Sequence, residues 1–198
     1  MARSDFSLNL AYQPTNKRFA DQSGPDFFPT PAWAARALME NESFEQEVWE
    51  CACGDGSMSQ VIEQFVPKVY SSDLHDRGYG ESGIDFLEED RRAVNIITNP
   101  PYNLAESFVE TGLQKAEKKF ALLLRLAFLE SAKRFRSIFS TTAPSRVWVF
   151  SERITFYPNG EQTAGSGTTA YAWFVWDKAH SGATELVWLP PIYKRSTS

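Results

Sequence analysis

Short apolar runs that alternate with stretches of helical spacing limit this chain more than any other feature. Glu47 to Ala52, Lys68 to Asp73, Ala93 to Thr98 and Lys119 to Leu126 read as strands, the last two of the fully buried kind. Thr30-Pro31 opens a first helical stretch with Trp33, Ala34, Ala37 and Leu38 on one face. Thr at the cap and Pro in the first turn make a sound helix start. Ser57 opens a second, with Met58, Val61, Ile62 and Phe65 aligned, and Pro67 stops it. Leu104, Phe108, Val109, Leu113 and Ala116 mark a third, and Glu130 to Phe139 a fourth with a basic face. This alternation predicts βαβ units around a mostly parallel sheet. Arg146 to Ser151, Ala170 to Trp176 and Glu185 to Leu189 are further strands. They lie too close together for helical crossovers, which predicts antiparallel pairing.

The 198 residues suit one domain with a full core. Residues 1–27 read as a loose polar arm and 28–198 as the domain. The loop at 74–83 and the Gly, Ser and Thr-rich stretch at 158–168 read as exposed connections. The net charge of −5 excludes a uniformly basic coat, but it hides a split. Residues 1–110 carry 8 Lys/Arg against 19 Asp/Glu, and residues 111–198 carry 12 against 6. Such asymmetry reads either as an anionic partner on one side or as scattered solvated charge. Cys51 and Cys53, one residue apart, form no disulfide framework and fit a reduced, cytoplasmic setting. His75 and His180 are the only histidines and are not paired, so no metal is expected. Met1 to Tyr12 has no signal-peptide pattern, and no apolar run is long enough for a membrane span.

Two turns carry chemistry. The first is Glu50-Cys-Ala-Cys-Gly54-Asp-Gly56, between a strand and a helix. Two glycines separated by one residue let backbone approach a ligand closely. Asp73 ends the next strand, where a doubly wound fold holds a ribose hydroxyl pair. Asp85-Phe86 then suits hydrogen bonding and packing around an adenine. Position 59 is Ser, so the full Gly-x-Gly-x-x-Gly spacing of dinucleotide sites is absent, which weighs against NAD. The second turn is Asn99-Pro-Pro-Tyr102, at the end of a buried strand. The prolines remove two N–H donors and leave an acceptor-rich turn: the Asn99 side-chain oxygen and the Pro100 carbonyl. Two acceptors and a flat ring suit a planar, conjugated –NH2 group. A plain Pro-Pro turn with a packing Tyr is the competing reading.

From Phe28 to about Asp177 the chain resembles the class I S-adenosylmethionine-dependent amino-methyltransferases, especially small phage and prophage N6-adenine DNA methyltransferases. Phe28-Pro-Thr30-Pro31 resembles the motif that touches the methionine part of the cofactor. Glu50-Cys51-Ala-Cys53-Gly54-Asp-Gly56 resembles the Glu-Pro-x-x-Gly-x-Gly turn, with Cys51 in place of the usual Pro. Asp73 matches the ribose-binding acid, and Asp85-Phe86 matches the adenine-recognising pair. Asn99-Pro100-Pro101-Tyr102 matches the catalytic motif and is the most specific of the set. The order, cofactor turn before catalytic turn, is similar to the gamma arrangement. The resemblance implies a Rossmann-like α/β fold with helices on both faces of the sheet and an antiparallel C-terminal strand pair. It implies S-adenosylmethionine as cofactor and nucleic acid, DNA first, as partner, with no membrane and no metal.

Arg153-Ile-Thr-Phe156-Tyr157-Pro158 is similar to the later motif whose aromatic packs on an extruded base, so Phe156 or Tyr157 is the candidate. Core aromatics after a strand are the other reading. Arg125 reads equally as facing the cleft or as bonded to carbonyls. Lys115, Lys118, Lys119, Lys133, Arg134 and Arg136 are expected to face phosphates, or to form ordinary solvated faces. The expected reaction is direct methyl transfer to adenine N6 after base flipping. The alternatives are an RNA adenine or protein-glutamine methyltransferase, or a non-catalytic binding module of the same fold.

Overall fold

In the computed structural model, residues 27–157 and 167–193 are described. The arm at 1–26 and most of the 158–168 stretch lie outside them. Eight strands form one sheet: β1 (Glu47–Glu50), β2 (Lys68–Asp73), β3 (Glu81–Ser82), β4 (Ala93–Thr98), β5 (Ala116–Arg125), β6 (Arg146–Phe150), β7 (Tyr171–Asp177) and β8 (Glu185–Leu189). Their order is β3-β2-β1-β4-β5-β7-β6-β8. β7 pairs antiparallel with β5 and β6, and the other pairings are parallel. The antiparallel C-terminal pairing is as expected. β8 departs from it by passing β7 and pairing parallel with β6. The two-residue β3 falls inside the stretch read as a loop; it is too short to show a period.

Side-chain alternation explains the layers. Val48, Ile97, Ala121, Leu123, Trp173 and Val175 face one side with α1 (Ala32–Asn41) and α2 (Ser59–Ile62). Trp49, Ile96, Phe120, Leu122, Phe174 and Trp176 face the other with α3 (Ala105–Lys115). Ile138 joins that second layer from a π-helical segment, Phe135–Phe139, that continues α4 (Ala132–Arg134). A strand buried on both faces has no polar alternate position, so β5 reads Phe-Ala-Leu-Leu-Leu.

Two helix starts repay comparison with the sequence. Ser131 caps α4 by accepting from Lys133 N and Arg134 N. Thr30 does not cap α1. Pro31 occupies the N-cap with no side-chain bond, and the Thr30 hydroxyl meets Asn99 instead.

Glu42, at the end of α1, ties that helix to the amino-terminal part of β5 and to β6. Its carboxylate accepts from Lys119 Nζ at 2.5 Å, Arg146 Nη1 at 2.5 Å and Trp148 Nε1 at 3.2 Å. Lys119 also meets Asp177 at 3.4 Å. Removing a buried partner leaves cations without compensation, which is costlier than the pair is favourable. Glu42→Ala should therefore lower unfolding free energy by about 3 kcal/mol, the lower end of that range because Lys119 and Arg146 keep some solvent. Urea denaturation checks this, with cofactor affinity expected unchanged in the folded variant.

Candidate active site

The chemistry-bearing residues gather at one edge of the sheet. Glu50, Asp73, Thr98 and Arg125 close β1, β2, β4 and β5, and Tyr171 opens the reversed β7 opposite Arg125. Parallel strands put their carboxyl ends, and hence their ligands, along this edge.

At the glycine turn, Gly54 has φ +56° and Gly56 has φ +79°, a region that side chains with a Cβ rarely adopt. A Cβ on Gly54 would lie 2.2 Å from the Phe27 ring, and one on Gly56 would lie 2.4 Å from the Tyr79 ring. The two rings lie directly on the buried backbone of the turn, where no side chain would fit. Asp73 holds it from the neighbouring strand: its Oδ2 accepts from Gly54 N at 2.9 Å and its Oδ1 from His75 N at 2.8 Å. Cys53 N donates to Ser72 O at 3.0 Å and completes the link. Asp85 accepts from Leu87 N at 2.9 Å, in a turn joined to β2 by Ile84 N donating to Asp73 O.

Phe86 is placed differently from the expectation of a ligand-facing ring. It is 2% exposed and packs between Trp49 and Phe108, with centroids at 5.3 and 4.9 Å. Any adenine recognition on this element falls to Asp85 and the backbone.

Glu50 is fully buried and accepts from Ser59 Oγ, which in turn accepts from Ser71 Oγ at 2.8 Å. Burial, aided by Asp73 and Asp55, pushes its carboxyl from the ordinary 4.5 up to about 8. A raised carboxyl favours the fold in its protonated form. That contribution is full below pH 4.5 and is lost as pH rises through about 8. Glu50→Gln, always neutral, should lose less stability than the wild type across that window in parallel denaturation series. Equal slopes would contradict the buried, protonated carboxyl.

The two thiols are buried, and burial together with Glu50 pushes both up, Cys53 to about 12. Thiols held protonated are poor nucleophiles. Covalent chemistry through cysteine, as carbon methylation of a pyrimidine ring would need, has no support here.

At the Asn-Pro-Pro-Tyr turn, Asn99 Nδ2 donates to Thr30 Oγ1 at 3.0 Å. Its Oδ1 is buried without a hydrogen-bond partner, as are Thr98 Oγ1 and the Tyr102 hydroxyl. Buried polar atoms are almost always paired. Here they cluster at one strand end, where the Tyr102 hydroxyl lies against Tyr171 and Asn99. Burial raises the Tyr102 phenol well above its usual range, so it stays a neutral hydroxyl. Its ring lies 5.7 Å from Tyr171 and 6.4 Å from Phe156, and the Arg125 guanidinium stacks 5.0 Å above it. Arg125 is exposed and packs on the Tyr102 ring. Phe156 joins the ring cluster, whereas Tyr157 stands half-buried beside it. Tyr171 was hidden in the sequence as the first residue of a strand. Antiparallel pairing of β7 with β5 is what brings it to this edge.

The six basic residues do not form one phosphate-facing helix. Lys118 and Lys119 lie on β5, and Lys115 donates to the Phe86 carbonyl. Lys118 pairs with Glu45, Lys119 with Glu42, and Lys133 and Arg134 with Glu106. Arg134 also donates to the carbonyls of Ala127, Phe128 and Glu130. These cations are largely neutralised by the protein itself. A cavity of about 270 Å³ beside Tyr102 is lined by Asn103, Glu106, Phe128, Lys133 and Arg134. A larger one, about 460 Å³, lies among Glu45, Asn95, Lys118, Lys119 and Asp177 at the opposite edge of the sheet. The glycine turn and the buried Asn99 Oδ1, rather than cavity size, mark the candidate site. Among the described residues no cluster of His, Cys, Asp and Glu could hold a metal, and no helix is long and apolar enough to cross a membrane.

No family model matches the sequence, and no curated protein matches it. Solved structures do. A type I restriction-modification system methyltransferase subunit from Streptococcus thermophilus superposes with a TM-score of 0.60 at 12% identity, covering 79% of this chain and 45% of that one. The fold is that of the class I methyltransferases. A modification subunit provisionally assigned to a type I restriction enzyme of Vibrio vulnificus YJ016 gives 0.58 at 14%, covering 87% and 49%. A protein provisionally assigned as an RNA methyltransferase in Pyrococcus horikoshii gives 0.57 at 13%, covering 74% and 82%. The chain spans about half the length of the first two. Within this methyltransferase fold, the glycine turn after β1 and the Asn-Pro-Pro-Tyr turn after β4 share one edge of the sheet.

Proposed function

We propose that this chain transfers a methyl group from S-adenosylmethionine to an exocyclic amino nitrogen of a nucleic-acid base, N6 of adenine in DNA. The observation that carries the reading is the buried Asn99 Oδ1, without a hydrogen-bond partner, at the same edge of the sheet as the glycine turn. Gly54, Gly56 and Asp73 suit the cofactor: bare backbone for close approach and a carboxylate for ribose hydroxyls. The Phe27 and Tyr79 rings pack on that backbone.

The cofactor supplies an electrophilic methyl on a sulfonium, so no covalent enzyme intermediate is required. The residues of this chain orient the amine. Asn99 Oδ1 and the Pro100 carbonyl would accept hydrogen bonds from its two N–H groups, drawing the nitrogen lone pair out of conjugation. As the new N–C bond formed the C–S bond would break, leaving a neutral thioether, and the surplus proton on nitrogen would pass to solvent. Acceptors already placed where charge develops act without reorganisation, and placement removes much of the entropic barrier. The Tyr102 ring, braced by Tyr171 and capped by Arg125, gives the base a stacking face. Stacking of that kind is worth about 1–3 kcal/mol per base and offsets much of the cost of extrusion.

DNA rests on the sequence resemblance. The fold is shared by restriction-modification and RNA methyltransferase structures, so both nucleic acids belong in the test. Labelled S-adenosylmethionine is offered with equal pools of duplex DNA, RNA and protein. Label in the DNA pool is expected; label confined to RNA or to protein glutamine replaces the substrate.

A further inference from the structure

Thr30 stands where a helix cap is expected, yet its hydroxyl serves the catalytic turn. It is 6% exposed, and its Oγ1 accepts a hydrogen bond from the Asn99 side-chain amide at 3.0 Å. The amide torsion of an asparagine is broad and roughly two-fold. The Thr30 contact restrains that torsion with Nδ2 turned toward the hydroxyl. Both ends of the bridge are stiff. On one side Pro31 has φ −57°, and its carbonyl accepts from Ala34 N at 2.8 Å. The Ala34 carbonyl in turn accepts from the buried Trp173 Nε1 at 2.9 Å, which bolts the start of α1 to β7. On the other side Asn99 sits between β4 and two prolines.

The consequence is chemical. An amide has one acceptor half and one donor half. Holding Nδ2 against Thr30 leaves Oδ1 as the half that meets an incoming –NH2. A freed amide would spend part of its time presenting –NH2 to –NH2, which cannot bond.

We propose that Thr30 is a positioning residue for the transfer step: its hydroxyl holds the Asn99 amide with the acceptor oxygen toward the reacting amine. This rests on the reading of Asn99 as the amine acceptor. It differs from a role in holding the methionine part of the cofactor, because it acts on kcat rather than on cofactor affinity.

The test compares Thr30→Val, which keeps the shape and removes the hydroxyl, with Thr30→Ser, which keeps the hydroxyl. Thr30→Val should lower kcat at saturating cofactor by about 10–100-fold, as misplacement of a catalytic group does. Cofactor Kd and acceptor KM should stay within about threefold. Thr30→Ser should recover most of the rate. Added to Asn99→Ala, Thr30→Val should cost nothing further, since residues acting as a unit are non-additive. An unchanged kcat in Thr30→Val, or a loss that saturating cofactor erases, overturns the proposal. A second readout needs no turnover. The Asn99 side-chain NH2 resonance, assigned by its absence in Asn99→Ala, should shift in Thr30→Val and stay in place in Thr30→Ser. If the wild type methylates no acceptor, the proposed function falls, while an unmoved resonance in Thr30→Val still overturns the bridge.

Discussion

Asn99→Ala is expected to lower methyl transfer by at least about 10²–10³-fold, the usual loss when one preorganised group facing the transition state is removed. Cofactor affinity should stay within about threefold. The separation follows from geometry. Asn99 lies after β4, whereas the glycine turn follows β1 and is held by Asp73 from β2. Folding should also survive, because the side chain gives up one hydrogen bond, to Thr30, and an oxygen that had no partner. Single-turnover transfer alongside calorimetric titration of the cofactor measures both effects. A variant with full activity would remove Asn99 from the mechanism.

Asp73→Asn should be far from conservative. Each carboxylate oxygen accepts one backbone N–H, from Gly54 and from His75. An amide offers one acceptor oxygen and sets an NH2 against the second donor. Leaving one buried N–H unsatisfied costs about 1–3 kcal/mol. The same change weakens the acceptor proposed for the ribose hydroxyls and loosens the turn that must approach the cofactor. Cofactor affinity should fall by about tenfold or more, where each tenfold is about 1.4 kcal/mol. Transfer at saturating cofactor should fall much less. A cofactor dissociation constant equal to that of the wild type would take Asp73 out of the site.

Together the two variants test the proposed division of this edge into a cofactor half and an amine half. Glycines with positive φ and a carboxylate define the first. Unpaired acceptors and an aromatic cluster define the second. Thr30 bonds directly to Asn99 in the amine half, and Phe27, three residues earlier, covers Gly54 in the cofactor half. One short segment before α1 thus touches both.

The parallel sheet was legible because its strands are buried on both faces. Runs such as Phe120 to Leu124 carry no polar positions and read as strands without ambiguity. The two turns were legible because Gly54, Gly56, Pro100 and Pro101 act through backbone conformation, which is local. What was not legible depends on contacts distant in sequence. Thr30 has the local chemistry of a cap, and only the fold shows it 3.0 Å from Asn99. Phe86 follows an acid in a loop, and only the packing of Trp49 and Phe108 shows that its ring belongs to the core. Tyr171 acquires its place from the reversed direction of β7. The basic residues near 115–136 look like a stripe in sequence. In space Glu42, Glu45 and Glu106, all from the acidic half, neutralise most of them.

The central claim is methylation of an exocyclic amine, and the most direct measurement is the chemical identity of the product. Duplex DNA incubated with the protein and labelled S-adenosylmethionine is digested to nucleosides, which are resolved by mass and retention. N6-methyladenine carrying the label, and its loss in Asn99→Ala, is the predicted result. Label found only on a pyrimidine ring carbon would contradict the account, because that chemistry needs a thiolate nucleophile and both cysteines here are buried with raised thiols.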